Sequence, residues 1–262
     1  MILDKIVENK KKYLEERKKY ISLEELKKNF SAGLGRSLIK TLQNKKFIII
    51  AETKKASPSA GIIKKRYYPE KIALSYEKAG ADAISVLTEE KFFLGKLKDL
   101  EKVKKIVNLP VLMKDFIIDP YQLYEAKYYG ADLILLIVKI LSEDSLKEFL
   151  DIAKNLGLEI IIEMHDKKEI EIVLNNVSDF SKIILGINNR NLDTLKTDIQ
   201  TTFSLLPLLK KSEVPVISES GIKDKKDIEK LFKSGVKGIL IGEYLLKSKD
   251  QEEQLKNLKN NI

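Results

Sequence analysis

The chain has 262 residues, 44% hydrophobic and 33% charged, enough to bury a substantial core beneath a heavily ionised surface. Its net charge of +9 comes almost wholly from lysine, because Arg17, Arg36, Arg66 and Arg190 are the only arginines. With no cysteine and with His165 as the single histidine, the composition excludes disulfides, thiolate nucleophiles, sulfur-ligated zinc, histidine-rich metal sites and a histidine-based triad.

The lysines are spread along the chain beside Glu or Asp with few interleaved aromatics, the pattern of a solvated surface rather than a nucleic-acid stripe. The start, MILDKIVENKKKY, has no apolar segment long enough for a signal peptide. The longest strongly apolar run, Leu133 to Val138, falls far short of the ~18 residues needed to span a membrane. A soluble, cytoplasmic protein is expected.

Residues 1 to about 45 are helical in pattern. Ile2, Leu3, Ile6 and Val7 form one face that Tyr13 and Leu14 continue, with Lys10, Lys11 and Lys12 between. Ser22 followed by Glu25 signals a capping box for another helix. Acidic residues mixed into this segment favour packing on the main domain over a membrane or partner surface.

The stretch Phe47 to Gly61 opens with β-branched residues and reads as a strand buried on both faces, ending in Glu52 and Lys54. From there a unit recurs: short apolar run, polar turn, amphipathic helix. The runs are Phe47–Ala51, Ala83–Leu87, Val111–Met113, Leu133–Val138, Glu159–Ile162, Ile183–Ile187, Val214–Ile217 and Gly238–Ile241, eight in all. Helices are legible between them at Pro69–Ala79, Pro120–Tyr129, Glu143–Asn155 and Lys225–Lys233. Gly80-Ala81-Asp82 and Gly130-Ala131-Asp132 each close a helix and start a strand, the glycine suiting a left-handed helix end. Eight alternating units without a linker predict a (β/α)8 TIM barrel, one domain over 1–262 with residues 1–45 as an N-terminal helical extension. The rival, a doubly wound open sheet, usually carries a Gly-rich phosphate loop after its first strand, and no such loop occurs here.

In a barrel, chemistry sits at the carboxyl ends of the strands, and side chains two apart on a strand share a face. Strand one ends in Glu52 and Lys54, strand three in Lys114, strand five in Glu163, strand six in Asn188 and Arg190, strand seven in Glu219 and Ser220, and strand eight in Gly242. Paired carboxylates and ammonium groups shift one another's pKa, so such a mouth suits proton transfer. Ser220-Gly221 and Gly242 follow the two strands where barrels often hold a phosphate on backbone N–H groups. Asp115 has the opposite parity to Lys114 and is expected to anchor a helix or loop. His165 is expected to be a rim histidine without catalytic duty.

The motifs AETKKASPSAG, SVLTEEKFFLG, PVLMKDF, GADLILLIV, IEMH, GINNRNL, SESGI and LIGE fall in the order and spacing of indole-3-glycerol-phosphate synthases. The chain resembles that family over essentially its whole length, with slight departures at Thr53, Ala60 and Met113. The resemblance implies an enzyme of tryptophan biosynthesis that closes an indole ring on 1-(2-carboxyphenylamino)-1-deoxyribulose 5-phosphate, losing carbon dioxide and then water. It implies Lys114 as general acid at the ribulose carbonyl and Glu163 as general base for later proton removal. Glu52 and Lys54 would hold the proton-transfer network. Asn188 and Arg190 would orient the anthranilate end, with Glu219 beside them. Ser57, Ser220, Gly221 and Gly242 fall on the substrate and phosphate side, and Phe93, Phe116 and Leu135 would wall the benzene ring. No cofactor or metal is expected, since the aromatic ring and the departing carboxylate supply the electrons. The expected partner is the anionic phosphosugar–anthranilate substrate, with no nucleic acid and no membrane; a monomer is the working expectation. An isomerase barrel acting one step earlier is disfavoured because that family uses a cysteine base.

Overall fold

The structure, a computed structural model, describes residues 1–28, 30 and 35–259. Its centre is a closed barrel of eight parallel strands. These are β1 (Ile48–Thr53), β2 (Ala83–Leu87), β3 (Val111–Lys114), β4 (Leu133–Ile137), β5 (Glu159–Met164), β6 (Ile183–Asn188), β7 (Val216–Glu219) and β8 (Gly238–Ile241). Each strand pairs with the next in chain order, and β8 returns to β1 through the register Ile48–Gly238 to Ala51–Ile241. The apolar runs are continuous because both faces of every strand are covered. Ile48 and Ile50 pack inside the barrel with Leu112, Leu133, Ile161, Ile184, Ile217 and Leu240, while Ile49 and Ala51 belong to the layer beneath the outer helices.

Most strands run a residue or two past the apolar stretches read from the sequence, and two boundaries fall short of them for a local reason. β4 ends at Ile137, and Val138–Ile140 turns as a short 3-10 helix. β7 begins at Val216 rather than Val214, since Pro215 has no N–H to give and joins the ladder only by accepting from the Leu185 N–H at 2.9 Å.

Three helices precede β1: α1 (Ile2–Tyr20), α2 (Leu23–Lys28) and α3 (Leu38–Asn44). Helix α1 buries Leu3, Ile6, Lys10 and Leu14, one stripe at helical spacing. Leu3 and Ile6 join Phe116 and Phe93 above the barrel, whereas Leu14 meets Leu26 and Tyr121 on its flank. Helix α3 lies at the other end: Glu159, at the start of β5, accepts from the N–H groups of Leu38 at 2.8 Å and Ile39 at 3.2 Å. The extension thus runs from mouth to base instead of covering the mouth alone. Of the Lys10-Lys11-Lys12 run only Lys10 is buried, its ammonium 2.8 Å from Asp115 and 3.5 Å from Glu90.

The Gly-Ala-Asp repeat has a common physical use. Gly80 and Gly130 end their helices with φ of 85° and 87°, in the left-handed region. Asp82 then accepts from the Ile49 N–H at 2.8 Å, and Asp132 from the Val111 N–H at 2.9 Å. Each carboxylate clamps its own strand to the preceding one at the base. Among the described residues no helix is long and apolar enough to cross a membrane.

Candidate active site

A cavity of about 450 Å³ opens at the carboxyl ends of the strands. Of the residues picked out from the sequence, Glu52, Lys54, Phe93, Lys114, Phe116, Leu135, Glu163, Asn188, Arg190, Ser220, Gly221 and Gly242 line it. Ser57 and Glu219 do not. Ser57 is buried in the short hairpin formed by Ala56–Ser57 and Gly61–Ile62, where its hydroxyl accepts from the Ala60 N–H at 3.2 Å. It borders a small side cavity with Ile2, Leu3 and Ile6 of α1. Glu219 is fully buried below the Lys114 ammonium rather than facing the cavity.

Alternation along the strands aims the charged groups inward. The Lys114 ammonium donates to Glu219 at 2.9 Å and to Glu163 at 3.2 Å, joining strands β3, β5 and β7. Lys54 donates to Glu52 at 2.6 Å. Two glycines make room for carboxylates: a Cβ at Gly186 would lie 2.3 Å from Glu219 Oε1, and one at Gly242 would lie 2.5 Å from Glu52 Oε1. Gly242 therefore has a steric duty inside the protein, besides any role toward an anion.

The environment sets these groups apart. Burial disfavours charge on Lys114, but Glu219, Glu163 and Glu52 outweigh it and raise its pKa above the ordinary lysine range. Burial also opposes the charge on Glu163, yet Lys114, His165 and Asn188 hold it well below the usual carboxylate range. For Glu219 burial prevails: only partly offset by Lys114 and reinforced by the neighbouring Glu163, it pushes the carboxyl up to about 7. Glu219 Oε1 is buried without a hydrogen-bond partner among the described residues, the geometry of a carboxyl able to carry a proton.

His165 is not an exposed rim residue. Its side chain is 9% exposed, with Nε2 at 3.2 Å from Glu163 and Nδ1 at 3.0 Å from Glu169. Burial works against its charge, but the two carboxylates prevail and push the imidazole up to about 10.

Asp115 behaves as expected from its parity, accepting from Lys10, from the Thr88 hydroxyl at 2.6 Å and from the Phe116 N–H at 2.7 Å. Glu89, which sequence reasoning passed over, accepts from the Phe92 and Phe93 N–H groups at 2.7 and 2.9 Å and so sets Phe93 facing Phe116, ring centroids 5.9 Å apart. Asn189 was also missed. Ser220 and Gly221 both have left-handed backbone, φ 65° and 78°, and the Asn189 amide donates to the Glu219 and Ser220 carbonyls at 3.0 Å each while its oxygen accepts from Thr202. An Asn of opposite parity beside an inward Asn188 was the available signal. Arg190 donates to the Leu195 carbonyl at 3.0 Å and to Ser59 at 3.1 Å, which holds its guanidinium at the rim.

A barrel with charge at its mouth does not name a reaction. The sequence profile described as indole-3-glycerol phosphate synthase matches residues 3–258. The chain belongs to the indole-3-glycerol phosphate synthase family. It is thereby an enzyme, a carbon–carbon lyase of the carboxy-lyase class. It is 45% identical to the indole-3-glycerol phosphate synthase of Thermoanaerobacter pseudethanolicus over 97% of this chain and 96% of that one. With the Aliarcobacter butzleri protein of the same name it shares 42% identity over the full length of both. Among solved structures it superposes on the tryptophan synthase alpha subunit of Legionella pneumophila with a TM-score of 0.61, covering 88% of this chain and 99% of that one. Identity there is 14%, so that likeness speaks for the TIM barrel alone.

Proposed function

We propose that the mouth converts 1-(2-carboxyphenylamino)-1-deoxyribulose 5-phosphate into indole-3-glycerol phosphate, with Lys114 as general acid and Glu163 as general base. The observation that carries this reading is the single ammonium held between Glu163 and Glu219 on the floor of an apolar-walled cavity. Phe93, Phe116 and Leu135 suit the benzene ring. Arg190, with Asn188, suits the anthranilate carboxylate. The left-handed Ser220-Gly221 turn and the Gly242 backbone, at the start of the helix Glu243–Lys247, suit the phosphate.

The chemistry follows from the charge arrangement. Lys114 is fully protonated at neutral pH, so it can bond the ribulose carbonyl oxygen from the outset. As the aromatic carbon attacks, the new carbon–carbon bond drives the carbonyl electrons onto oxygen, and the growing alkoxide becomes basic enough to take the proton. Carbon dioxide leaves, and the electrons of its bond restore the ring. Lys114 is then a neutral amine, and the attraction that kept Glu163 weakly basic is gone. Glu163 therefore becomes a stronger base at the dehydration step, where it takes a proton from the ring carbon beside nitrogen while the Lys54 ammonium gives one to the departing hydroxide, which leaves as water. One proton transfer prepares the next. Glu52 and Lys54 act as the second ion pair of this network.

The test is incubation of the purified protein with the synthetic substrate, followed by indole fluorescence and carbon dioxide release. Steady formation of both is expected; neither forming at saturating substrate rules the reading out.

A further inference from the structure

His165 stands between two carboxylates, one on each ring nitrogen, at 3.2 Å from Glu163 and 3.0 Å from Glu169. Carboxylates against both ring nitrogens favour the doubly protonated imidazole, a cation. Nε2 is buried and makes no hydrogen bond of good geometry among the described residues, so its approach to Glu163 is that of an ion pair. Its outer partner is fixed in turn: Glu169 lies in the first turn of the helix Lys167–Asn176, its carboxylate accepts the His165 N–H at 2.8 Å, and its own N–H donates to the Asp166 side chain at 2.9 Å. Glu169, His165 and Glu163 thus form a line from a helix cap to the cavity.

From this line we infer that His165 is a positioning residue, a permanent imidazolium that aims the Glu163 carboxylate into the mouth and keeps it ionised. It acts through Glu163 and does not itself line the cavity. This rests on the reading of Glu163 as the base. The need is electrostatic: Glu163 shares the floor with Glu219 of β7 and Glu52 of β1, and Lys114 of β3 and Asn188 of β6 answer them from the other strands. Once Lys114 has given its proton away, His165 is the cation still in contact with Glu163. It would keep the carboxylate from taking up a stray proton before the dehydration step.

Because His165 is the only histidine, its ring signals can be assigned in the unmodified protein without a variant. Nitrogen-15 and proton NMR should show both ring nitrogens protonated and no titration between pH 6 and 8. A ring that is neutral at pH 7 overturns the inference. In kinetics, His165→Gln should lower kcat about tenfold with KM within twofold, and should move the acidic limb of the kcat–pH profile to higher pH, because Glu163 loses a cation and protonates more readily. An unchanged kcat and profile also overturn it. Should that variant not fold, Glu169→Gln removes the outer carboxylate and should bring the ring's titration down toward neutrality; no change there counts against the relay. The base reading fails separately, if Glu163→Gln turns over normally, whatever charge the ring carries.

Discussion

The two ends of the barrel use the same residue types in opposite ways. At the base, carboxylates are consumed by the backbone. Asp132 takes the N–H groups of Arg36 and Val111, both at 2.9 Å, and the Lys104 ammonium at 2.6 Å. Glu159 closes the start of α3, and Asp82 ties β2 to β1. At the mouth, Glu163 and Glu219 share the Lys114 ammonium, and an oxygen of Glu219 is left over. A fully paired carboxylate is a fastener, whereas a crowded and partly unpaired one retains free energy that proton transfer can use. The difference lies in who supplies the partners: fixed N–H groups at strand starts, other side chains at strand ends.

The hardest push on this contrast is at Lys114. Lys114→Met keeps the bulk and removes the proton, so single-turnover carbon dioxide release should fall by roughly 10²–10⁴-fold. Release at the unmodified rate would mean that ring closure takes its proton elsewhere. Glu163→Gln, by contrast, should leave the carbon dioxide burst largely intact and slow the appearance of indole fluorescence by about 10²-fold.

The opposite substitution tests the base. Asp132→Ala strands two backbone N–H groups, each worth about 1–3 kcal/mol when buried without a partner, and should cost roughly 3 kcal/mol of stability or about 10 °C in Tm. Its kcat at low temperature should stay within about twofold, a small difference on the free-energy scale. A large loss of kcat with an unchanged Tm would erase the division between the two ends.

Removing residues 1–21 takes α1 from the mouth while sparing α3 at the base, and should raise KM about tenfold, near 1.4 kcal/mol, with less effect on kcat. An unchanged KM would show that α1 adds nothing to substrate binding. Extending the deletion to residue 40 would confuse the two ends, because Leu38 belongs to the base.

The smallest effect concerns pH and stability. Glu219 is raised from 4.5 to about 7 in the native state, so between those values the native protein holds a proton that the unfolded chain has released. Stability from this residue is therefore lost as pH rises through that window. Glu163 is depressed and works the other way, contributing stability above 4.5 that is lost on acidification. Glu219→Gln should flatten the fall in Tm between about pH 4.5 and 7, as read by calorimetry. A slope identical to the parent protein's would place the proton on another group.

The barrel was legible because its strands are covered on both faces and its units repeat, so local pattern and global closure agree. The inward charges were legible because parity is a local property: Glu52, Lys114, Glu163 and Asn188 follow from counting back to an apolar neighbour. What escaped depends on how elements pair and dock in three dimensions, near in sequence or far. Lys10 sits in a run of three lysines and is buried because Asp115 lies 105 positions away to receive it. Hairpin pairing turns the Ser57 hydroxyl to the Ala60 N–H, beside a side cavity that Lys54, Phe93 and Arg190 also border. Glu219 had the right parity and the wrong depth, since only the three-dimensional packing reveals that Lys114 lies over it. The contact of His165 with Glu169 depends on how the next helix docks.

Gly186 and Gly242 have one more implication, for how this mouth could change its substrate over time. Each is a position whose useful property is vacancy, already filled by a carboxylate from the adjacent strand. A mutation adding a side chain at either position would collide first with Glu219 or Glu52, so new specificity cannot enter by that route in single steps. Divergence is channelled to positions such as Thr197, Leu192 and Tyr244, which border the cavity but are not packed against the proton-transfer groups by a missing Cβ. Libraries built to alter the accepted ring or sugar should therefore be drawn from the rim and spare the glycines.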